Sequence, residues 1–95
     1  MRWIEIAVPA HAEAVEPVSE LLTEVATNGV SIEEPYALED DGQRYRPIPG
    51  ATVTVRAYIP DDDHAKGALW RVQQALWHLS SLGEHFIGEM TTRLV

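Results

Sequence analysis

Residues 51–64 read Ala-Thr-Val-Thr-Val-Arg-Ala-Tyr-Ile-Pro-Asp-Asp-Asp-His, and the fold turns on how they divide. From Ala51 to Ile59, Val53, Val55, Ala57 and Ile59 alternate with Thr52, Thr54, Arg56 and Tyr58. Period two with β-branched and aromatic residues predicts a strand buried on one side. Pro60 closes it, and Asp61-Asp62-Asp63 supplies an acidic cap and first turn for a helix. That helix is predicted to run to Leu82, with Ala65, Leu69, Val72, Leu76 and Leu79 as its apolar stripe and Gly83 as its stop.

Upstream, Arg2 to Val8 alternates as well. Ile4, Ile6 and Val8 point one way, Trp3, Glu5 and Ala7 the other, and Pro9 is expected to end the strand. From about Ala12 to Thr27 the spacing becomes helical through Ala14, Val18, Leu21, Leu22 and Val25, with Glu13, Glu16, Glu20 and Glu24 opposite. Pro17 interrupts that pattern, and Asn28-Gly29 is expected to stop the helix. Val30 to Glu33 reads as a short strand. Residues 36–50 are rich in turn formers and charge and read as a surface loop. His85 to Val95 reads as a last strand, with Phe86, Met90 and Leu94 on one side.

The predicted order is β-α-β-β-α-β. It implies an α+β, ferredoxin-like split sandwich: a four-stranded antiparallel sheet with two helices on one face. The apolar strand positions all serve the helix-covered face. The other face carries Trp3, Glu5, Ser31, Glu33, Thr52, Thr54, Arg56 and Tyr58, and is expected to lie bare.

Ninety-five residues make one compact domain, and 45% hydrophobic against 23% charged residues is an ordinary globular balance. Fifteen acidic against seven basic residues leave a charge of −8, which repels phosphate backbones and anionic lipid and favours a basic protein partner. With no cysteine, disulfides and thiolate chemistry are excluded. No apolar run nears the ~20 residues of a membrane span and the start does not resemble a signal peptide, so a cytoplasmic protein is expected. Oligomeric state is not fixed by these features.

Chemical motifs are sparse. Asp61-Asp62-Asp63-His64 suits a helix start better than a metal, since three consecutive carboxylates cannot converge on one ion. Glu39-Asp40-Asp41 lacks the alternating ligands of a calcium loop. His11, His64, His78 and His85 are scattered, although His85 and Glu89 could meet on one strand face. There is no nucleophile elbow and no phosphate-binding glycine loop; Lys66 is the sole lysine. No catalytic, cofactor-binding or metal residue is nominated. The candidate partner-binding residues are Trp3, Arg56, Tyr58, Trp70 and Trp77. The last two sit seven apart, roughly 130° round the helix from its apolar stripe. They either fill the groove beside the first helix or mark a partner surface. An RNA-binding sheet would place aromatic residues like Trp3 and Tyr58 on its open face, but among basic neighbours.

Trp3-Ile4-Glu5-Ile6, then Glu13-Ala14-Val15-Glu16-Pro17-Val18-Ser19-Glu20-Leu21-Leu22, then Gly29-Val30-Ser31-Ile32-Glu33-Glu34-Pro35 resemble the start of ribosomal protein L11 methyltransferases. The resemblance implies a substrate-recognition domain that docks ribosomal protein L11. A C-terminal, Rossmann-like domain would then bind S-adenosylmethionine and perform the methylation. On this reading residues 1–95 are one ferredoxin-like domain, the N-terminal part of a longer methyltransferase. The family's cofactor loop is absent from these residues, and no binding residue transfers from it. The alternative is an ACT-like, small-molecule-binding regulatory domain, which shares the β-α-β-β-α-β order.

Overall fold

A computed structural model describes residues 2–34, 36–38, 45–47, 52–81 and 87–95. The elements are β1 (Trp3–Ala10), α1 (Ala12–Thr23), β2 (Val30–Glu33), β3 (Tyr36–Leu38), β4 (Tyr45–Pro47), β5 (Val53–Pro60), α2 (Ala65–Ser81) and β6 (Thr91–Leu94). Four of the strands form one antiparallel sheet in the order β2-β5-β1-β6. Helix α1 links β1 to β2 and α2 links β5 to β6, so each helix joins strands separated by one neighbour. This is the α+β split arrangement.

The core follows from the alternation. Ile6, Val8 and Ala10 of β1 and Val53, Val55, Ala57 and Ile59 of β5 are buried. All of these but Val53 form one cluster with Ala14, Val18 and Leu22 of α1 and Ala65, Ala68, Val72 and Leu76 of α2. On α2 the stripe centres on Ala68 rather than Leu69; Leu69 and Leu79 are half-buried at its margin.

Several boundaries differ from the sequence expectation. Residues 36–50 are not wholly loop, because β3 and β4 pair as a separate two-stranded sheet. Runs of three residues, one just after Pro35 and the other ending in Pro47, carry little strand signal, which is why they read as loop. Helix α1 contains Pro17 but ends at Thr23, not Thr27. Val25 and Ala26 leave the helix with their N–H groups on the Leu22 carbonyl and pack against the core. Gly29, at φ +88°, therefore turns the chain into β2 rather than capping the helix. Asp62 does start α2: its Oδ1 accepts from the His64 N–H at 2.9 Å.

Pro9 lies within β1 instead of ending it. Trp3 and Val95 exchange backbone hydrogen bonds, so alternate β1 residues from Trp3 onward, Pro9 among them, point their N–H positions toward β6. The missing donor falls where the β1–β6 ladder is already broken. Ala7 pairs with Thr91 and Ala10 bridges Ile87, so three residues, Gly88–Met90, oppose two, Val8 and Pro9. This is a β-bulge. The Gly88 N–H donates to the Pro9 carbonyl at 2.7 Å. The predicted strand 85–95 is thus regular only over Thr91–Leu94. Leu82, Gly83, His85 with its proposed Glu89 contact, Phe86, Ala51 and Glu39-Asp40-Asp41 lie outside the described residues.

Candidate functional site: the open face of the sheet

Strand parity puts Glu5, Glu33, Arg56, Tyr58 and Arg93 on the face away from the helices. Register then decides who meets whom. Tyr58 lies directly opposite Glu5 on β5 and Arg93 directly opposite it on β6; Arg56 lies diagonally across. Diagonal neighbours stay within reach of a long side chain.

The result is a hydrogen-bonded network spanning all four strands. The Tyr58 hydroxyl donates to Glu5 Oε2 at 2.8 Å, and Arg93 Nη2 donates to the same oxygen at 3.1 Å. Arg56 Nη1 donates to Glu5 Oε1 at 3.0 Å, while its Nε donates to Glu33 Oε2 at 2.6 Å. Glu5 is only 6% exposed, the one buried charged side chain among the described residues. A buried carboxylate persists when its oxygens are satisfied by hydrogen bonds and opposite charge, and here three donors do so.

These contacts set the protonation behaviour. The Tyr58 hydrogen bond, with help from both guanidiniums, holds Glu5 below its ordinary value against the opposing effect of burial. The same bond, made by the neutral phenol, pushes Tyr58 above its ordinary value, and burial adds to it. Arg56 is raised chiefly by its bond to Glu33. A carboxylate so well supplied with donors is a poor proton acceptor; the network is built to hold shape.

Beside it, a cleft of about 400 Å³ crosses the end of the sheet, lined by Trp3, Val30, Ser31, Arg56, Tyr58, Val95 and the Asn28-Gly29 turn. Three sequence candidates, Trp3, Arg56 and Tyr58, are therefore brought together. Trp70 and Trp77 are not: they lie on α2, in the opposite layer, and are 64% and 71% exposed. They do not fill the groove beside α1. Sequence reading placed Glu5 and Glu33 on the open face but missed Glu5's burial and the parts played by Arg93 and Val95. The signal was present, since Leu94 on the helix side forces Arg93 to the open side. Among the described residues no three His, Asp or Glu side chains gather as a metal site would require. No helix among them is long and apolar enough to cross a membrane.

The open face is not the acidic slab that the net charge implies. Glu5 and Glu33 are balanced by Arg56 and Arg93. Among the described residues, exposed carboxylates gather instead along α1 and at its end, at Glu13, Glu16, Glu20 and Glu24, and at Asp61–Asp63 before α2.

A four-stranded sheet backed by two helices, with one face held by an ionic network, defines an α+β split sandwich of the ferredoxin-like kind. Residues 2–92 match the family model described as ribosomal protein L11 methyltransferase (PrmA). A ribosomal protein L11 methyltransferase of Chloroflexus aurantiacus is 36% identical over 92 residues, 96% of this chain and 27% of that protein. One from Herpetosiphon aurantiacus is 34% identical over 83 residues, covering 86% and 26%. One from Brevibacillus brevis is 41% identical over 71 residues, covering 65% and 23%. The chain belongs to the ribosomal protein L11 methyltransferase family. It spans about a quarter of the length of these relatives and corresponds to their N-terminal part.

Proposed function

We propose that this chain is the substrate-recognition part of a longer, cytoplasmic ribosomal protein L11 methyltransferase, and that it docks ribosomal protein L11 on the open face of its sheet. The observation that carries this reading is the cleft of Trp3, Tyr58, Arg56 and Val95 beside a fixed ionic network. Aromatic and arginine side chains held rigid before binding lose little entropy on contact and are favoured interface anchors. The acidic exterior of α1 and the −8 charge raise the rate at which a basic ribosomal protein arrives. Nucleic acid is disfavoured by that same charge. Transfer from S-adenosylmethionine belongs to the remainder of the longer protein. This region contributes effective concentration by holding the substrate beside it.

The test is a calorimetric titration of the chain with purified L11 at low salt. Trp3→Ala and Tyr58→Ala should each weaken binding roughly tenfold or more, with circular dichroism unchanged. Tyr58→Phe, which keeps the ring, should weaken it less. An absence of binding at low salt, or affinities indifferent to Trp3 and Tyr58, would refute the reading.

A further inference from the structure

We infer that the cleft on the open face takes an uncharged, apolar side chain of the partner. Arg56 then recognises the backbone carbonyl that follows that side chain. The inference rests on the reading of this face as the docking site for L11, and it names the kind of segment that enters.

Trp3 and Tyr58 give the cleft aromatic walls and Val30 and Val95 aliphatic ones, while no Asp or Glu stands among its lining residues. The two carboxylates on the open face, Glu5 and Glu33, are already paired with Arg56. A lysine side chain entering here would give up water beside a guanidinium, with no unpaired carboxylate to receive it. Stacking on an indole returns part of that cost but not the charge pairing. An apolar side chain has no such cost and covers the same aromatic surface. The basic partner is thus drawn in by its charge but seated by an uncharged residue.

Arg56 supplies the polar half of the site. Its Nε is spent on Glu33 and its Nη1 on Glu5, so the guanidinium is held from two sides. Both N–H groups of Nη2 lack a partner among the described residues. A group already fixed in this way loses little freedom when it binds. A backbone carbonyl suits these donors better than a carboxylate does. The network is balanced, Glu5 and Glu33 against Arg56 and Arg93, and the chain around it carries −8. A charge-assisted hydrogen bond to a neutral carbonyl adds no further negative charge.

The occupant is a segment of a protein rather than a free small molecule. Tyr58 is 39% and Val95 60% exposed, so the walls stand open to solvent. A small-ligand pocket covers roughly 70–90% of its ligand. A protein segment is held instead by contacts on either side of the cleft.

Three probes test this on the 95-residue chain by NMR: a capped Gly-Phe-Gly peptide, its lysine counterpart Gly-Lys-Gly, and acetylglycine phenethylamide. The last keeps the ring and lacks the carbonyl that follows it. The phenylalanine peptide should shift the Trp3 indole and the Gly29 and Ser31 amides, and bind roughly tenfold more tightly than the lysine peptide. The phenethylamide should bind roughly fivefold more weakly than the phenylalanine peptide, the share of one hydrogen bond. Ser31 is exposed and directly opposite Arg56, so Ser31→Asp sets a carboxylate against the unused Nη2 without disturbing the core. In that variant the phenylalanine peptide and the phenethylamide should bind equally, with circular dichroism unchanged, whereas Ser31→Ala should keep their difference.

A lysine peptide that binds as well as the phenylalanine peptide overturns the inference, as does a phenethylamide that does so on the unaltered chain. A difference that survives Ser31→Asp removes Arg56 from the recognition and overturns it too. So does a Trp3 indole unmoved at roughly 20 mM phenylalanine peptide. If L11 still binds through Trp3 and Tyr58 in those cases, the docking reading stands and only this inference falls. Both probe preferences without any binding of L11 uphold the selectivity of the cleft and refute L11 as its source.

Discussion

Replacing Gly88 with alanine would set a methyl group 2.6 Å from Cγ and 3.3 Å from Cβ of Pro9. Optimal carbon–carbon separation is about 3.5–4.0 Å, so the nearer contact is short by about an ångström. Pro9 cannot retreat easily, because its ring is fused to a strand whose flanking residues, Val8 and Ala10, are buried in the core. The bulge must move instead, which stretches the 2.7 Å bond from Gly88 N–H to the Pro9 carbonyl. Overpacking costs about 1–3 kcal/mol and a weakened hydrogen bond about 1 kcal/mol more. The sum is about 2–4 kcal/mol, or roughly 10–25 °C of melting temperature for a chain of this size. Gly67 supplies the internal control. A Cβ there meets nothing within 4 Å, and the residue sits in the first turn of α2. Gly67→Ala should therefore stabilise by about 0.5–1 kcal/mol, a rise of a few degrees. Thermal melts followed by circular dichroism read both signs at once. Shifts in the same direction, or a loss at Gly88 of less than about 3 °C, would refute the bulge geometry.

Glu5 is ionised more readily in the folded chain than at its ordinary value of 4.5. Its contribution to stability is therefore complete above about pH 4.5 and is lost as pH falls through the lower folded value; Glu5→Gln should flatten this acid limb of melting temperature against pH. Tyr58 behaves oppositely. Its raised value means a contribution present below its ordinary 10.0 and lost as pH climbs through the folded value, so Tyr58→Phe should remove an alkaline limb and return Glu5 toward ordinary titration by NMR. Arg56→Lys should lower the melting temperature more than Arg93→Ala. One ammonium cannot reproduce the fork that serves Glu33 through Nε and Glu5 through Nη1. On α2, Leu76→Ala should cost about 2–5 kcal/mol at a 4% exposed site, while Trp77→Ala in dilute protein should stay within about 0.5 kcal/mol. Equal losses at the two positions would contradict the placement of the indoles.

Period and parity made most of the fold legible. Ile6, Val8, Val55, Ala57, Val18 and Val72 are buried because alternation and helical spacing required it, and the strand order followed from β-α-β-β-α-β. What escaped was local. Pro9 read as a strand end because a lone sequence does not say which neighbour its missing N–H would face; the break toward β6 makes it harmless. The extent of β6 was overread because a one-residue bulge preserves the look of alternation while shifting register. At the site, Trp3, Arg56 and Tyr58 were visible from parity alone. The burial of Glu5 was not, because an isolated glutamate on an outward strand position reads as solvated. Only pairing shows that Tyr58, Arg56 and Arg93 crowd it.

The segregation of charge separates what draws a partner in from what holds it. Had the −8 been spread over the open sheet, a partner would have to strip water from many lone carboxylates before touching Trp3 or Tyr58, and burying unpaired charge is costly. Instead each carboxylate of the network is already paired within the chain, so docking there need break no ion pair. Among the described residues, exposed glutamates stand along α1, on the other side of the sheet, where their field guides a basic protein without entering its interface. Salt should then slow association while leaving dissociation from the cleft nearly unchanged.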